Sequence, residues 1–238
     1  ETNILDADEL KAAQDVMSED LYEQEFECSF QAAITGSYYG ALIEDLDKAK
    51  RINKNLYDDN LDVETWWDLG MNDQTSIWFA QRFKGEIRLI DYYENSGFGI
   101  DHYADVINKR GYDYSRHIAP HDVNVRELGN FGKTRKQSAL ELGIAFEVAP
   151  KLSIEDGIEA VRKALVNCWF DKEKCATGIE YLKAYQKRWD DKHQCFKNKP
   201  MHNYASHCAD SFRTGITNDG AEISNWKKEV PVNTNYII

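Results

Sequence analysis

Three strand-like runs fall between residues 61 and 93, the first with a period of two, and only two residues separate the second from the third. In the first, Leu61, Val63, Thr65 and Trp67 alternate with Asp62, Glu64, Trp66 and Asp68, which predicts a strand ending at Asp68-Leu69-Gly70. Residues 75–83 and 86–93 read as two more strands. Lys84-Gly85 leaves room for a two-residue hairpin, so the three strands should be antiparallel neighbours. A sheet of this kind must bury at least one face, and the rest of the chain has to supply the cover.

That cover is visible in the periodicity that follows. Ile100, Tyr103, Ala104 and Ile107 are spaced for a helix, with Gly111 as the residue just past its end. A short strand at 116–119 runs into Pro120-His121-Asp122. A helix near 134–142 and a strand at 145–148 follow. Ser153 can cap the next helix, with Asp156 three residues on and Ile158, Val161 and Leu165 on its buried face. Residues 175–188 read as helical and 189–203 as a polar loop. The last helix spans 204–217, with Ala205, Ala209, Phe212 and Ile216 facing the core. The expected fold is α/β, a mixed sheet flanked by helices.

Residues 1–60 read mainly as helix, with Leu10, Ala13, Val16, Met17, Leu21, Phe26 and Phe30 forming an apolar stripe. The acid-rich stretch 57–62 suggests a boundary. The organisation expected is a helical segment over 1–60, a domain over 61–217, and an extended or mobile tail over 218–238. Residue 1 is Glu, which suggests a piece of a longer chain.

Charge narrows the possible partners. The net charge is −12, and residues 1–60 hold 15 acidic and 5 basic residues against 26 and 24 in the remainder. Such an acidic chain argues against tight nonspecific DNA binding, but the near-neutral remainder leaves space for a local basic groove. No run of 18 apolar residues is present to cross a membrane, and no signal peptide is visible. The five cysteines are scattered without a CxxC pair, which favours a reducing compartment over a disulfide scaffold. Cys168, Cys175, Cys195 and His193 are too dispersed for a zinc site and read as buried thiols with a distant histidine.

Three acids stand out by position. Asp68 closes the first strand, Asp122 follows the fourth, and Asp210 lies on the final helix. Ligands collect at strand ends of an α/β sheet, and carboxylates are hard donors suited to Mg²⁺ or Mn²⁺. Two such ions can activate a water and stabilise the leaving oxygen of a phosphodiester. Taken singly, each Asp reads better as a turn or cap residue than as a ligand; the case rests on the trio. Asp73, His121 and His207 adjoin these acids and are candidates for a supporting shell, although Asp73 reads equally well as a turn residue and His121 reads better as a surface or packing histidine. Arg126, Lys133, Arg135 and Lys136, with Lys183, Lys187 and Arg188 further on, could meet a DNA backbone; a solvated loop and helix start explains Lys133, Arg135 and Lys136 equally well. Gly129-Asn130-Phe131-Gly132-Lys133-Thr134 is not a phosphate loop, since Glu127 stands where its first glycine is needed.

Four motifs carry a resemblance. They are Trp67-Asp68-Leu69-Gly70 with Asp73 and Thr75, Ile118-Ala119-Pro120-His121-Asp122, Gly132-Lys133-Thr134-Arg135, and Ser206-His207-Cys208-Ala209-Asp210-Ser211-Phe212-Arg213. Together with the stretch Tyr22 to Phe30, their order over about residues 20–217 resembles the C-terminal nuclease domain of the large terminase subunit of tailed bacteriophages or prophages. The resemblance implies an RNase H-like fold and an endonuclease that cuts concatemeric viral double-stranded DNA during packaging. It implies that Asp68, Asp122 and Asp210 hold two Mg²⁺ or Mn²⁺ ions. It also implies an ATPase domain elsewhere in the full-length protein, the portal protein and the small terminase subunit as partners, and action in the host bacterial cytoplasm at the procapsid portal. The position after the third acid, usually Ala in that family, is Ser211. The rivals are another RNase H-like nuclease, of resolvase or transposase type, and a portal or procapsid docking module without chemistry.

Overall fold

The computed structural model describes residues 36–70, 74–126, 132–190, 192–193 and 195–218. The hairpin predicted at Lys84-Gly85 joins β3 (Gln74–Phe83) to β4 (Glu86–Ser96), and both loop residues have the positive φ that a type I′ turn requires, 50° and 84°. On the other side β3 pairs antiparallel with β2 (Val63–Asp68). These three strands form the centre of a seven-stranded sheet.

The remaining strands enter in parallel. β5 (Tyr114–Ala119) lies beside β2, and β6 (Phe146–Val148) lies beside β5. On the far side β7 (Cys168–Asp171) pairs with β4, and β1 (Ile52–Asn53) pairs with β7. The order is β1-β7-β4-β3-β2-β5-β6. Neither the edge strand β1 nor its inner neighbour β7 was legible as a strand, because β7 has four residues without alternation and β1 has two.

Both faces of the sheet are covered. Successive residues of a strand point to opposite faces, so Trp66 and Trp67, both fully buried, belong to two separate cores. The first strand therefore does not present one polar face, as its alternation suggested. On the Trp66 face pack α1 (Gly40–Lys48), α4 (Ile154–Leu165), α5 (Ala176–Ala184) and α6 (Tyr204–Thr217). On the Trp67 face pack α2 (Ile100–Arg110) and α3 (Arg135–Glu141). The caps follow expectation: Gly111 ends α2 in the left-handed region, and the Ser153 hydroxyl accepts from the Asp156 amide at the start of α4.

Two expectations need correction. The helix expected over 175–188 stops at Ala184, and residues expected as a polar loop form a hairpin of β8 (Lys187–Asp190) and β9 (Cys195–Pro200). Trp189 packs edge-on against Phe196 across it, an apolar pair that the surrounding polar residues concealed. In addition, the boundary expected near residue 60 does not coincide with a break in packing. Tyr38, Tyr39, Ile43 and Leu46 belong to the core shared with α4, α5 and α6, and β1 extends the sheet. Of the cysteines in the described residues, Cys168 and Cys175 are buried as expected and Cys208 is buried as well, whereas Cys195, expected as a buried thiol, is exposed on the β8–β9 hairpin. No helix among the described residues is long and apolar enough to cross a membrane.

Candidate active site

Parallel pairing of β2 with β5, with Trp66 opposite Ile118, brings two chain exits to the same end of the strands. Asp68 is the last residue of β2. Asp122 comes three residues after β5, in a short 3₁₀ turn (His121–Asn124) anchored by buried Val123. The third acid arrives from α6, which lies over β2 and β3. Its register is fixed at Trp78, whose indole N–H donates to the Cys208 carbonyl at 3.1 Å, and at Ser211, whose hydroxyl is 2.7 Å from that of Ser76.

Asp68, Asp122 and Asp210 accordingly line one cleft of about 330 Å³, together with His121, Lys151 and Arg213. They differ in setting. Asp68 is half-buried, with Oδ2 3.0 Å from His207 Nδ1. Asp210 backs onto the interior but leaves 34% of its side-chain surface open, and its Oδ1 is 2.9 Å from Arg213 Nη1. Burial pushes the Asp210 carboxyl up to about 6; Arg213 opposes that rise and the negative charge of Asp68 adds to it. Asp122 is exposed at the rim. Among the described residues no three His, Cys, Asp or Glu side chains lie close enough together to hold one ion. The fit to a divalent cation therefore rests on the close pair Asp68 and Asp210: hard oxygen donors whose mutual repulsion a cation would relieve. Asp122 faces the same space from the rim.

The other candidates divide. His207 touches Asp68, and His121 lines the cleft. Asp73 lies outside the described residues. None of Arg126, Lys133, Arg135 and Lys136 lines the cleft. Lys133 is paired with Glu141 at 2.7 Å, and Arg135 donates to the Leu69 carbonyl at 2.8 Å, tying α3 to the residue that follows Asp68. The basic residues that do reach the cleft, Lys151 and Arg213, carried no assigned role in the sequence. Lys151 had one usable signal, its place three residues after the strand β6; Arg213 stood inside a motif but was overshadowed by Asp210.

The layered mixed sheet with a terminal helix carrying the third acid is an RNase H-like fold. It is the fold of large terminase nuclease domains, as three solved structures illustrate. The large terminase of the thermophilic bacteriophage D6E matches with a TM-score of 0.58 at 14% identity, over 90% of this chain and 52% of the other. This chain thus spans about half the length of that terminase. The P22 large terminase nuclease domain gives 0.56 at 17% identity, over 71% and 87%. The nuclease domain of g2p, the large terminase of bacteriophage SPP1, solved with bound Mn, gives 0.51 at 18% identity, over 68% and 92%. No family model matches the sequence, and no curated protein does.

Proposed function

We propose that this chain is a divalent-metal-dependent endonuclease, the nuclease part of a large terminase that cuts concatemeric double-stranded DNA during genome packaging. The observation that carries the reading is the gathering of Asp68, Asp122 and Asp210 from three separate elements into one cleft, in a fold shared with terminase nucleases. Manganese in the SPP1 domain supports a divalent cation here. By the same likeness, the full-length protein would carry an ATPase domain and act with the portal and the small subunit at the procapsid in the host cytoplasm.

In this reading Asp68 and Asp210 hold the cations, with Asp122 contributing from the rim; two Mg²⁺ or Mn²⁺ ions would supply an activated water and offset charge on the leaving 3′ oxygen. His207 keeps Asp68 oriented through its Nδ1 contact. Lys151, on the cleft wall, is placed to meet a phosphate and hold the strand against the carboxylates. No protein nucleophile takes part.

The test is digestion of supercoiled and linear plasmid with Mn²⁺, with Mg²⁺ and with EDTA. Cutting that needs a divalent ion and acts on ordinary duplex supports the reading. Activity confined to branched or transposon-end DNA would favour a resolvase or transposase. No cutting and no Mn²⁺ binding would favour a docking module.

A further inference from the structure

Arg213 follows Asp210 by three residues on α6, and most of its side chain is buried, 21% remaining exposed. Surface i,i+3 ion pairs are ordinarily loose and contribute little. This one is held from three sides. The guanidinium meets Asp210 Oδ1 at 2.9 Å. The Tyr185 hydroxyl, just past α5, engages it from another direction, and the Tyr185 ring stacks on buried Tyr39 at 5.6 Å. The aliphatic stem runs over Gly157 of α4, where an added Cβ would stand 2.3 Å from Arg213 Cδ and 2.9 Å from Cγ. Gly157 lies within a helix and is absent from the residues with positive φ, so backbone conformation does not call for glycine there. Glycine weakens a helix relative to alanine. The room it leaves for Arg213 accounts for its presence.

We infer that Arg213 is a positioning residue: it occupies one oxygen of Asp210 and leaves the other to face the cation in the cleft. This rests on the reading of Asp210 as a metal ligand. A carboxylate free to rotate beside Asp68 would have to be ordered when a cation binds, and a fork anchored at Tyr185 and Gly157 orders it beforehand. Lysine cannot reproduce this, because it lacks the planar fork that reaches both Tyr185 and Asp210.

Mn²⁺ titration of the full chain by calorimetry, without DNA and at fixed pH, tests the inference beside thermal melts. Arg213→Met is expected to weaken Mn²⁺ affinity about tenfold or more, in the range seen when a partner of a metal ligand is removed. Arg213→Lys should recover part of that loss. Gly157→Ala keeps every charge but presses a methyl onto the Arg213 stem, and should weaken binding in the same direction. It also carries the test if Arg213→Met does not fold. Wild-type or tighter affinity in a natively melting Arg213→Met or Gly157→Ala would overturn the inference. Asp210→Asn separates the two levels. Loss of binding there, with none in the Arg213 and Gly157 variants, refutes positioning alone. A wild-type chain that binds no Mn²⁺ refutes the metal site and the positioning role together.

Discussion

At the scale of single residues, the site carboxylates lend themselves to isosteric change. Asp68→Asn, Asp122→Asn and Asp210→Asn each keep shape and lose charge, and each is expected to abolish plasmid cutting while circular dichroism stays native. For Asp210 the change should also stabilise the metal-free fold. Its native pKa is raised to about 6 by burial and by Asp68, so the charged form is penalised above that pH and the penalty vanishes below the ordinary carboxylate value. The melting temperature of Asp210→Asn should exceed wild type at pH 8, and the gap should close toward pH 4. A gap that persists unchanged at pH 4 would show that charge is not its source. His117 works in the opposite sense for the whole protein. Its half-buried ring, 2.7 Å from the Thr65 hydroxyl, has a pKa lowered to about 4 by desolvation. The unfolded chain takes up that proton first as pH falls below about 6.5. Stability is therefore complete above that value and drops by up to about 3 kcal/mol on the way to pH 4. Melts of wild type and His117→Asn across this range check it: the variant should lose this part of the pH slope.

At the scale of elements, α6 is the piece whose placement matters most, since it carries His207, Asp210 and Arg213. Buried Trp66, Trp78 and Phe212 pack edge to face between the helix and the sheet, at 5.5 and 5.4 Å. Ser211 adds a polar pin: its hydroxyl reaches Ser76 at 2.7 Å and donates to the Cys208 carbonyl at 2.9 Å. Ser211→Ala is expected to cost about 1 kcal/mol in denaturant unfolding, because Ser76 keeps the Tyr92 hydroxyl at 3.2 Å as a partner. Cutting should survive, since the aromatic contacts still set the register; an inactive but folded Ser211→Ala would mean that they do not. Helix ends were the most legible elements. Ser153 with Asp156, and Gly111, were read from local signals within four residues; the capping box of Thr134 with Gln137 is equally local but was not read. The hairpin β8–β9 was not, because its register rests on one cross-strand aromatic pair inside a polar stretch.

At the scale of the whole molecule, charge and packing meet in the question of what precedes the domain. Residues 1–35 hold 10 acidic residues and 1 basic one, so deleting them moves the net charge from −12 to −3. The cut must fall before Gly36, because Tyr38, Tyr39 and Ile43 are part of the core. The shortened chain should bind duplex DNA more tightly than the full chain at low salt, with the advantage shrinking as salt rises. Equal affinities for two folded chains would remove long-range repulsion from the account. The sequence by itself determined the three antiparallel strands, the caps and the position of each acid at a strand exit or on the last helix. These depend on spacings of a few residues, where periodicity and turn chemistry act directly. The tertiary structure alone decided that β7 enters between β1 and β4, that residues 36–53 belong to the domain, and that Arg213 rather than Lys133 or Arg135 stands in the cleft. A short strand buried on both faces carries no alternation to read. Which of two similar cations meets a carboxylate depends on how α4, α5 and α6 stack over the sheet, through contacts such as Gly157 against Arg213 that are made across 56 residues of chain.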